Sequence, residues 1–293
     1  MRKFIGSLIL LLLLLLTVPW GQRLLLHQIP AWVIRDGGFD GSSDGDSDGV
    51  FRSVPDRVVS VGDLTGYYFA PKGNQPTIFF AHGNSSRQQR QVDRLAPALV
   101  QGYGLYYVTY PGYDQNLIVA RDNALGWVPQ LFSEAGAKAA LQDHWQAYRG
   151  LGGQAPNTIL AAESLGTALM PWFAAHLPEA HLPEAQRPKM LVIMAGFDEF
   201  TNVARAKTFG LVQPSWLYDP FDNDGVWEAL DIPVFVANGD QDWMVSEAHG
   251  RAAERRIPGP SHFELYAGYG HLDLPLGRII LDAVAHNFVE NAD

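Results

Sequence analysis

Three residues in this 293-residue chain have types and surroundings that could do chemistry together: Ser164, Asp242 and His271. Ser164 lies in Ala162-Glu163-Ser164-Leu165-Gly166, with a small residue two positions to either side. Asn157 to Ala161 reads as a short buried strand, and Leu165 to His176 reads as a helix rich in Ala, Leu and Trp. The serine therefore falls on a sharp strand-to-helix turn. Such an elbow pushes a hydroxyl clear of a sheet, and its flanking residues are small because the two backbones pass close together. Ala162 stands where the pattern prefers Gly. Taken alone, Ser164 also suits an ordinary helix N-cap, so it needs partners. A serine hydroxyl is a weak nucleophile until a base takes its proton. An imidazole, which ordinarily titrates at about 6.5, suits that task. A carboxylate on the other imidazole nitrogen fixes the tautomer and stabilises the imidazolium.

Those partners must be held by other elements. Thr77 to Ala81, Leu105 to Thr109, Met190 to Ala195 and Val234 to Ala237 are short apolar runs, the pattern of strands buried on both faces. His262 to Tyr266 is a further strand, and Arg57 to Val61 with Leu64 to Phe69 reads as a hairpin around Gly62-Asp63. Helical stripes alternate with the runs at Arg87 to Gln101, Ser133 to Arg149, Ser246 to Arg256 and Leu274 to Asn291. Alternation of this kind predicts βαβ units and a parallel sheet. Ligands bind beyond the carboxyl ends of such strands. Those ends carry His82-Gly83-Asn84, Tyr110-Pro111-Gly112-Tyr113, the serine elbow, Asn238-Gly239-Asp240-Gln241-Asp242 and Gly268-Tyr269-Gly270-His271. A serine, an acid and a histidine thus follow strands in that order, 78 and 29 residues apart. Asp240 competes with Asp242 for the acid, and Asp198, after the Met190 strand, is an outside candidate; Gly239-x-x-Asp242-x-x-Val245 favours Asp242. His271 could otherwise be a surface-loop histidine, and His82 reads as structural. His144, His176 and His181 read as solvated helix residues.

The order Ser, Asp, His is the one used by α/β-hydrolases, and from about Val58 to Phe288 the chain resembles that superfamily. The motifs are His82-Gly83-Asn84, Tyr110 to Tyr113 (YPGY), Ser133 to Gly136 (SEAG), Glu163 to Gly166 (ESLG), Pro214 to Asn223 (PSWLYDPFDN), the Asp242 loop and Gly270-His271. Together they are similar to a branch of small serine hydrolases that often carry an N-terminal membrane segment. The resemblance implies an α/β-hydrolase fold, with a mostly parallel central sheet flanked by helices and an inserted cap or lid segment. It implies a serine hydrolase that cleaves a carboxylic ester through an acyl-enzyme. Ser164 would be nucleophile, His271 base and Asp242 orienting acid, with backbone N–H groups of Asn84 and Leu165 as the oxyanion hole. A thioesterase, or a serine peptidase acting on a small amide, would use the same parts. A non-catalytic binding module on this fold is the competing class, and it predicts a missing triad member; none is missing. In one place the chain departs from the pattern. Relatives run from YPGY to SEAG within several residues, whereas here Asp114 to Phe132 intervenes and reads as an insertion beside the site. Tyr113, Trp127, Glu163, Phe197 and Trp216 are candidate pocket residues; Trp127, Phe197 and Trp216 fall in cap or lid excursions at 114–132 and 197–230, whose aromatics suit a packed cap. If some of them line a pocket, they favour an apolar acyl or alcohol group.

The composition sets the limits. A net charge of −10 excludes binding of nucleic acid through a basic face, and no basic cluster suggests a phosphorylated substrate. With no cysteine, thiolate chemistry and disulfides are excluded. No cofactor is implied, and the histidines lack metal-ligand spacing. Residues 1–22 hold a short basic head and the apolar run Phe4 to Trp20, including seven consecutive leucines. This reads as a signal anchor or a cleaved signal peptide. With Arg2 and Lys3 on the short side, an anchor places the rest of the chain outside the cytosol, in a periplasm or lumen; cleavage would secrete it. Residues 23–53 read as a Gly/Ser/Asp-rich linker. Asp44 to Gly49 within it imitates a calcium loop, but its twelfth position is Pro55 rather than Glu. Residues 54–293 read as the catalytic domain.

Overall fold

A continuous apolar run makes a good strand only where both faces are covered, and five runs in this chain meet that condition. The computed structural model describes residues 18, 22–23, 54–84, 88–113, 118–119, 128–129, 132–207, 214–286 and 288. The apolar run at 4–20 (all but Val18), the calcium-like stretch and Trp127 lie outside them. The strands are β1 (Arg57–Val61), β2 (Leu64–Phe69), β3 (Thr77–Ala81), β4 (Gly104–Val108), β5 (Ile118–Val119), β6 (Val128–Pro129), β7 (Thr158–Glu163), β8 (Met190–Met194), β9 (Val234–Gly239) and β10 (Ser261–Tyr266). Every residue of β3, β4, β7, β8 and β9 is buried.

Eight strands form one sheet in the order β1-β2-β4-β3-β7-β8-β9-β10. The pairs β1–β2 and β2–β4 are antiparallel, and all pairs from β4 to β10 are parallel. The helices are α1 (Gln88–Val100), α2 (Glu134–Gly150), α3 (Met170–His176), α4 (Phe200–Lys207), α5 (Glu247–Glu254) and α6 (Leu276–Ala285). Strand alternation splits the core in two. Phe79, Tyr106, Leu160, Ala162, Ile193 and Val236 pack with residues of α2, α3 and α5 on one face. Ile78, Tyr107, Ala161, Val192 and Ala237 pack with α1 and α6 on the other. The core is thus a sheet covered by helices on both sides, as the alternating pattern predicts.

Two elements differ from expectation. The segment after Ser164 is a 3₁₀ turn, Ser164–Ala168, and α-helix begins only at Met170. Pro171 explains the restart, since it has no N–H to continue an earlier helix and is favoured in a first turn. The insertion at 114–132 contains β5 and β6, paired antiparallel as a small separate ribbon. Among the described residues, no helix is long and apolar enough to cross a membrane.

Candidate active site

Sheet register places the elbow. Ala81 of β3 pairs with Ala162 of β7, so the chain leaving β3 as His82-Gly83 runs beside Glu163-Ser164. The fit is tight: a Cβ on Gly83 would lie 3.1 Å from the Ser164 Cβ. A Cβ on Gly166 would lie 2.3 Å from the Ala81 carbonyl oxygen, which is why the motif needs Gly there. Ser164 has φ of 50°, a left-handed conformation that non-glycine residues adopt at a cost of about 1–3 kcal/mol. That strain turns the hydroxyl outward.

Ser164 Oγ lies 2.8 Å from His271 Nε2. On the other side of the ring, His271 Nδ1 lies 2.8 Å from Asp242 Oδ2. A carboxylate only accepts, so Nδ1 carries the proton and Nε2 presents its lone pair to the serine hydroxyl. Asp242 is itself fixed, because its Oδ1 accepts the backbone N–H groups of Met244 at 2.8 Å and Val245 at 2.7 Å. The loops carrying Asp242 and His271 follow the adjacent strands β9 and β10 and are joined by backbone. Asp240 N–H donates to Tyr266 at 3.2 Å and Gln241 N–H to Tyr269 at 2.9 Å. The serine, histidine and acid chosen from the sequence are therefore brought together. The two rival acids are engaged elsewhere: Asp240 Oδ1 accepts Gly268 N–H at 2.7 Å, and Asp198 accepts from Asn202 at 2.8 Å.

Leu165 opens the turn after the serine, and Asn84 follows Gly83 beside it. Tyr113, a candidate pocket residue, is buried and donates its hydroxyl proton to Asn84 Oδ1. His82 stacks on Tyr107 at 5.5 Å and is flanked by Tyr110 at 4.5 Å and Tyr113 at 5.3 Å. Its Nδ1–H donates to the Gly83 carbonyl at 2.6 Å. Burial lowers its pKa to about 4, and the Gly83 bond opposes this only in part. A neutral ring braces the turn at Gly83-Asn84.

One pocket expectation needs correction. Glu163 does not face a pocket. By strand alternation it points to the α1 side, where Arg94 Nη1 lies 2.6 Å from its Oε1 and Gln91 donates to its Oε2 at 3.0 Å. Arg94 also donates through Nε (3.0 Å) and Nη2 (2.9 Å) to the carbonyl of Leu274. One guanidinium thus joins the residue before the serine to the loop that carries His271. Sequence reasoning missed Arg94, which lies on α1, outside every motif. Phe197 is packed in the core, its ring 6.3 Å from Phe200. Trp216 is on the surface, 59% exposed. Trp127 lies outside the described residues.

His144 is not solvated but fully buried. Its Nε2–H donates to the Thr109 carbonyl and its Nδ1 accepts from Tyr106, both at 3.1 Å. Burial lowers its pKa to about 4. The SEAG and PSWLYDPFDN motifs serve each other. Glu134 N–H donates to Asp219 at 3.0 Å, and Glu134 Oε2 accepts Phe221 N–H at 2.8 Å. Arg256 holds the same excursion through Glu199 at 2.8 Å, Glu228 at 2.7 Å and Asp224 at 3.2 Å. Among the described residues, no group of three or more His, Asp or Glu side chains could hold a metal ion.

No protein-family model matches the sequence, and a search of curated proteins finds no match. Solved structures do match. Est1E from Butyrivibrio proteoclasticus, with ferulic acid bound, is 14% identical with a TM-score of 0.58, over 78% of this chain and all of that one. Carboxylesterase CesB of Bacillus subtilis is 16% identical with a TM-score of 0.50, over 78% of this chain and 90% of that one. Pyrococcus horikoshii acylaminoacyl peptidase is 12% identical with a TM-score of 0.51; the likeness spans 77% of this chain and 39% of that longer one. At such identities the likeness carries the fold and nothing finer. In strand order, helical layers and elbow, the chain has the α/β-hydrolase fold.

Proposed function

We propose that the protein is a serine hydrolase that cleaves a carboxylic ester through an acyl-enzyme. The observation that carries this reading is the hydrogen-bonded line Ser164–His271–Asp242 on a strained elbow at the carboxyl edge of the sheet. Ser164 Oγ attacks the carbonyl carbon while its proton passes to His271 Nε2. The negative oxygen of the tetrahedral intermediate is met by the N–H groups of Asn84 and Leu165; each such donor typically contributes about 3 kcal/mol to the transition state. Asp242 holds the imidazolium as it forms. Collapse expels the alcohol with the proton from His271 and leaves an acyl-Ser164. Water, deprotonated by the same nitrogen, then attacks the acyl carbon, and the acid departs as the serine regains its proton. Water is the only co-reactant the cycle needs. The solved neighbours include an esterase and a peptidase, so thioester or small-amide cleavage is the second reading. The sequence pattern at 1–22 adds membrane anchoring with the catalytic domain outside the cytosol.

The test is labelling of the folded chain by a fluorophosphonate probe, followed by a panel of esters, thioesters and aminoacyl amides. Wild type should label, Ser164→Ala should not, and esters should turn over fastest. Folded wild type that resists the probe and turns over no member of the panel would end the reading. It would favour a ligand-binding role instead.

A further inference from the structure

The expected picture of the N-terminal region is a flexible tether, with a domain that roams. A flexible linker of roughly 31 residues, the length of 23–53, has a root-mean-square span of about 30 Å. Two residues change that picture. Gln22 and Arg23, next but one to the end of the apolar run at Trp20, are bound to the segment 214–219. The Gln22 side chain is buried and spans two backbone groups. Its Nε2 donates to the Trp216 carbonyl, and its Oε1 accepts Tyr218 N–H at 3.0 Å. Arg23 makes a two-pronged pair with Asp219, Nε to Oδ2 at 2.7 Å and Nη2 to Oδ1 at 3.1 Å. Asp219 is buried, and its Oδ1 is also held by Glu134 N–H at 3.0 Å. A forked guanidinium–carboxylate pair on a buried acid is the strong form of such a contact.

This clasp sits on the active-site side of the molecule. From Asp219 the chain reaches Phe221, whose ring stacks at 5.9 Å on Phe132; Phe132 contacts Tyr113 at 5.1 Å, and Tyr113 bonds Asn84. Exposed large apolar side chains occur beside the clasp and on the Asp242 and His271 loops, as they also do at Val54, Val58, Val100, Leu182 and Val284. Among the described residues, the large exposed aromatics are Trp216, Tyr218 and Trp243, at 59%, 48% and 68%. The first two flank the clasp and the third adjoins Asp242. Leu272, 50% exposed, adjoins His271. Lys207 Nζ lies 5.5 Å over the Trp243 ring. Trp and Tyr with a nearby cation are the side chains that settle at a membrane–water interface. Exposed aromatics lie beside the clasp and next to Asp242, and the apolar run ends two residues before the clasp.

We propose that Gln22 and Arg23 hold the mouth of the candidate active site against the bilayer entered by the apolar run at 4–20. The bilayer, not a protein partner, covers Trp216, Trp243 and Leu272. The ester is then one dissolved in that bilayer, reaching Ser164 without crossing water. This step rests on the proposed hydrolase reading for its chemistry, on the proposed membrane anchoring for its bilayer, and on the clasp for its geometry.

The chain has no cysteine, so Trp243→Cys and Val100→Cys give single labelling sites. Val100 is 63% exposed at the end of α1, at the opposite edge of the sheet. Full-length protein would be reconstituted in phosphatidylcholine vesicles with an environment-sensitive dye at each site and quenchers fixed at known lipid depths. The dye at 243 should be quenched by headgroup-level and shallow acyl quenchers, and the dye at 100 only by a water-soluble one. Adding Gln22→Ala and Arg23→Ala should return position 243 to the water-soluble quencher. The same double variant should lose about tenfold in kcat/KM on a long-chain ester in the vesicle, through the lost effective concentration. It should keep its rate on a short water-soluble ester. The proposal fails if position 243 is as water-accessible in the intact chain as in the double variant. It also fails if protection persists in lipid-free detergent and rises with protein concentration, which marks a second copy as the covering. Lipid quenching at 243 with no turnover of either ester would overturn the hydrolase reading and leave the docking intact.

Discussion

Arg94→Met isolates the contact that links the two halves of the proposed catalytic line. The Glu163 side chain is 5% exposed and that of Arg94 15%, so removing the guanidinium strands a carboxylate with Gln91 as its remaining side-chain donor. Stranding one member of a buried pair costs about 3–5 kcal/mol. The partial exposure of Arg94 lets some water enter, which puts the expected loss near the lower end, about 3 kcal/mol. For a domain of this size that corresponds to an apparent Tm lower by about 6–12 °C, measured by circular dichroism at a fixed scan rate. Adding Glu163→Gln removes the stranded charge and should recover at least about half of the loss, since a neutral amide still pairs with Gln91. Activity should not recover with it. The Leu274 carbonyl loses both of its Arg94 donors in either variant, so the loop bearing His271 is released. Displacements of about 1 Å in a catalytic geometry cost about a hundredfold, and kcat/KM should fall 10- to 100-fold in the single and double variants alike. A single variant within about 2 °C of wild type, or a double variant no more stable than the single, would refute the ion-pair argument.

Three other perturbations follow from the geometry. Asp242→Asn keeps Oδ1 for Met244 and Val245 but stops holding the Nδ1–H tautomer, so kcat should fall about 10⁴-fold with the circular dichroism melt little changed. Gly166→Ala forces a methyl to within 2.3 Å of the Ala81 carbonyl; the overlap should cost about 3 kcal/mol or more, seen as a lower urea midpoint or loss of soluble protein. His82 and His144 are buried neutral with pKa values of about 4 against about 6.5 unfolded. The unfolded chain therefore takes up protons first as the pH falls. Stability should be full above pH 6.5 and decline towards pH 4, by at most about 3 kcal/mol per histidine. Chemical denaturation of His144→Gln should show a shallower decline than wild type across that window.

What could be read from the sequence was whatever backbone geometry imposes locally. The five buried runs are strands because no other short element hides both faces, and the Ser164 elbow shows in the small residues that its crossing backbones demand. The positions of Asp242 and His271 could be read because each follows a strand of the same sheet. His144 was misjudged although its signal was present: Ala137, Ala140, Leu141, Trp145 and Tyr148 mark the buried stripe of α2, and position 144 falls within it. Its polarity was given more weight than its phase. The restart of helix at Met170 was likewise written in Pro171.

Glu163 was a different kind of miss. A charge at the end of a buried strand looks like the strand's exit to solvent or to a ligand, and local pattern offers no third choice. The third choice is an arginine 69 positions earlier, on a helix whose packing against that face depends on the finished sheet. The same holds for Gln22 with Tyr218, 196 positions apart. Isolated buried charges and amides are costly, so each points to a partner, but a single sequence does not say where along the chain the partner lies. The elbow and the two loops after it can therefore be derived from residue types and spacing. What ties them into one rigid line, Arg94 between Glu163 and Leu274, is a property of the assembled fold. Rigidity of that kind decides whether a serine, a histidine and an aspartate in the right order stand in hydrogen-bonding range before any substrate arrives.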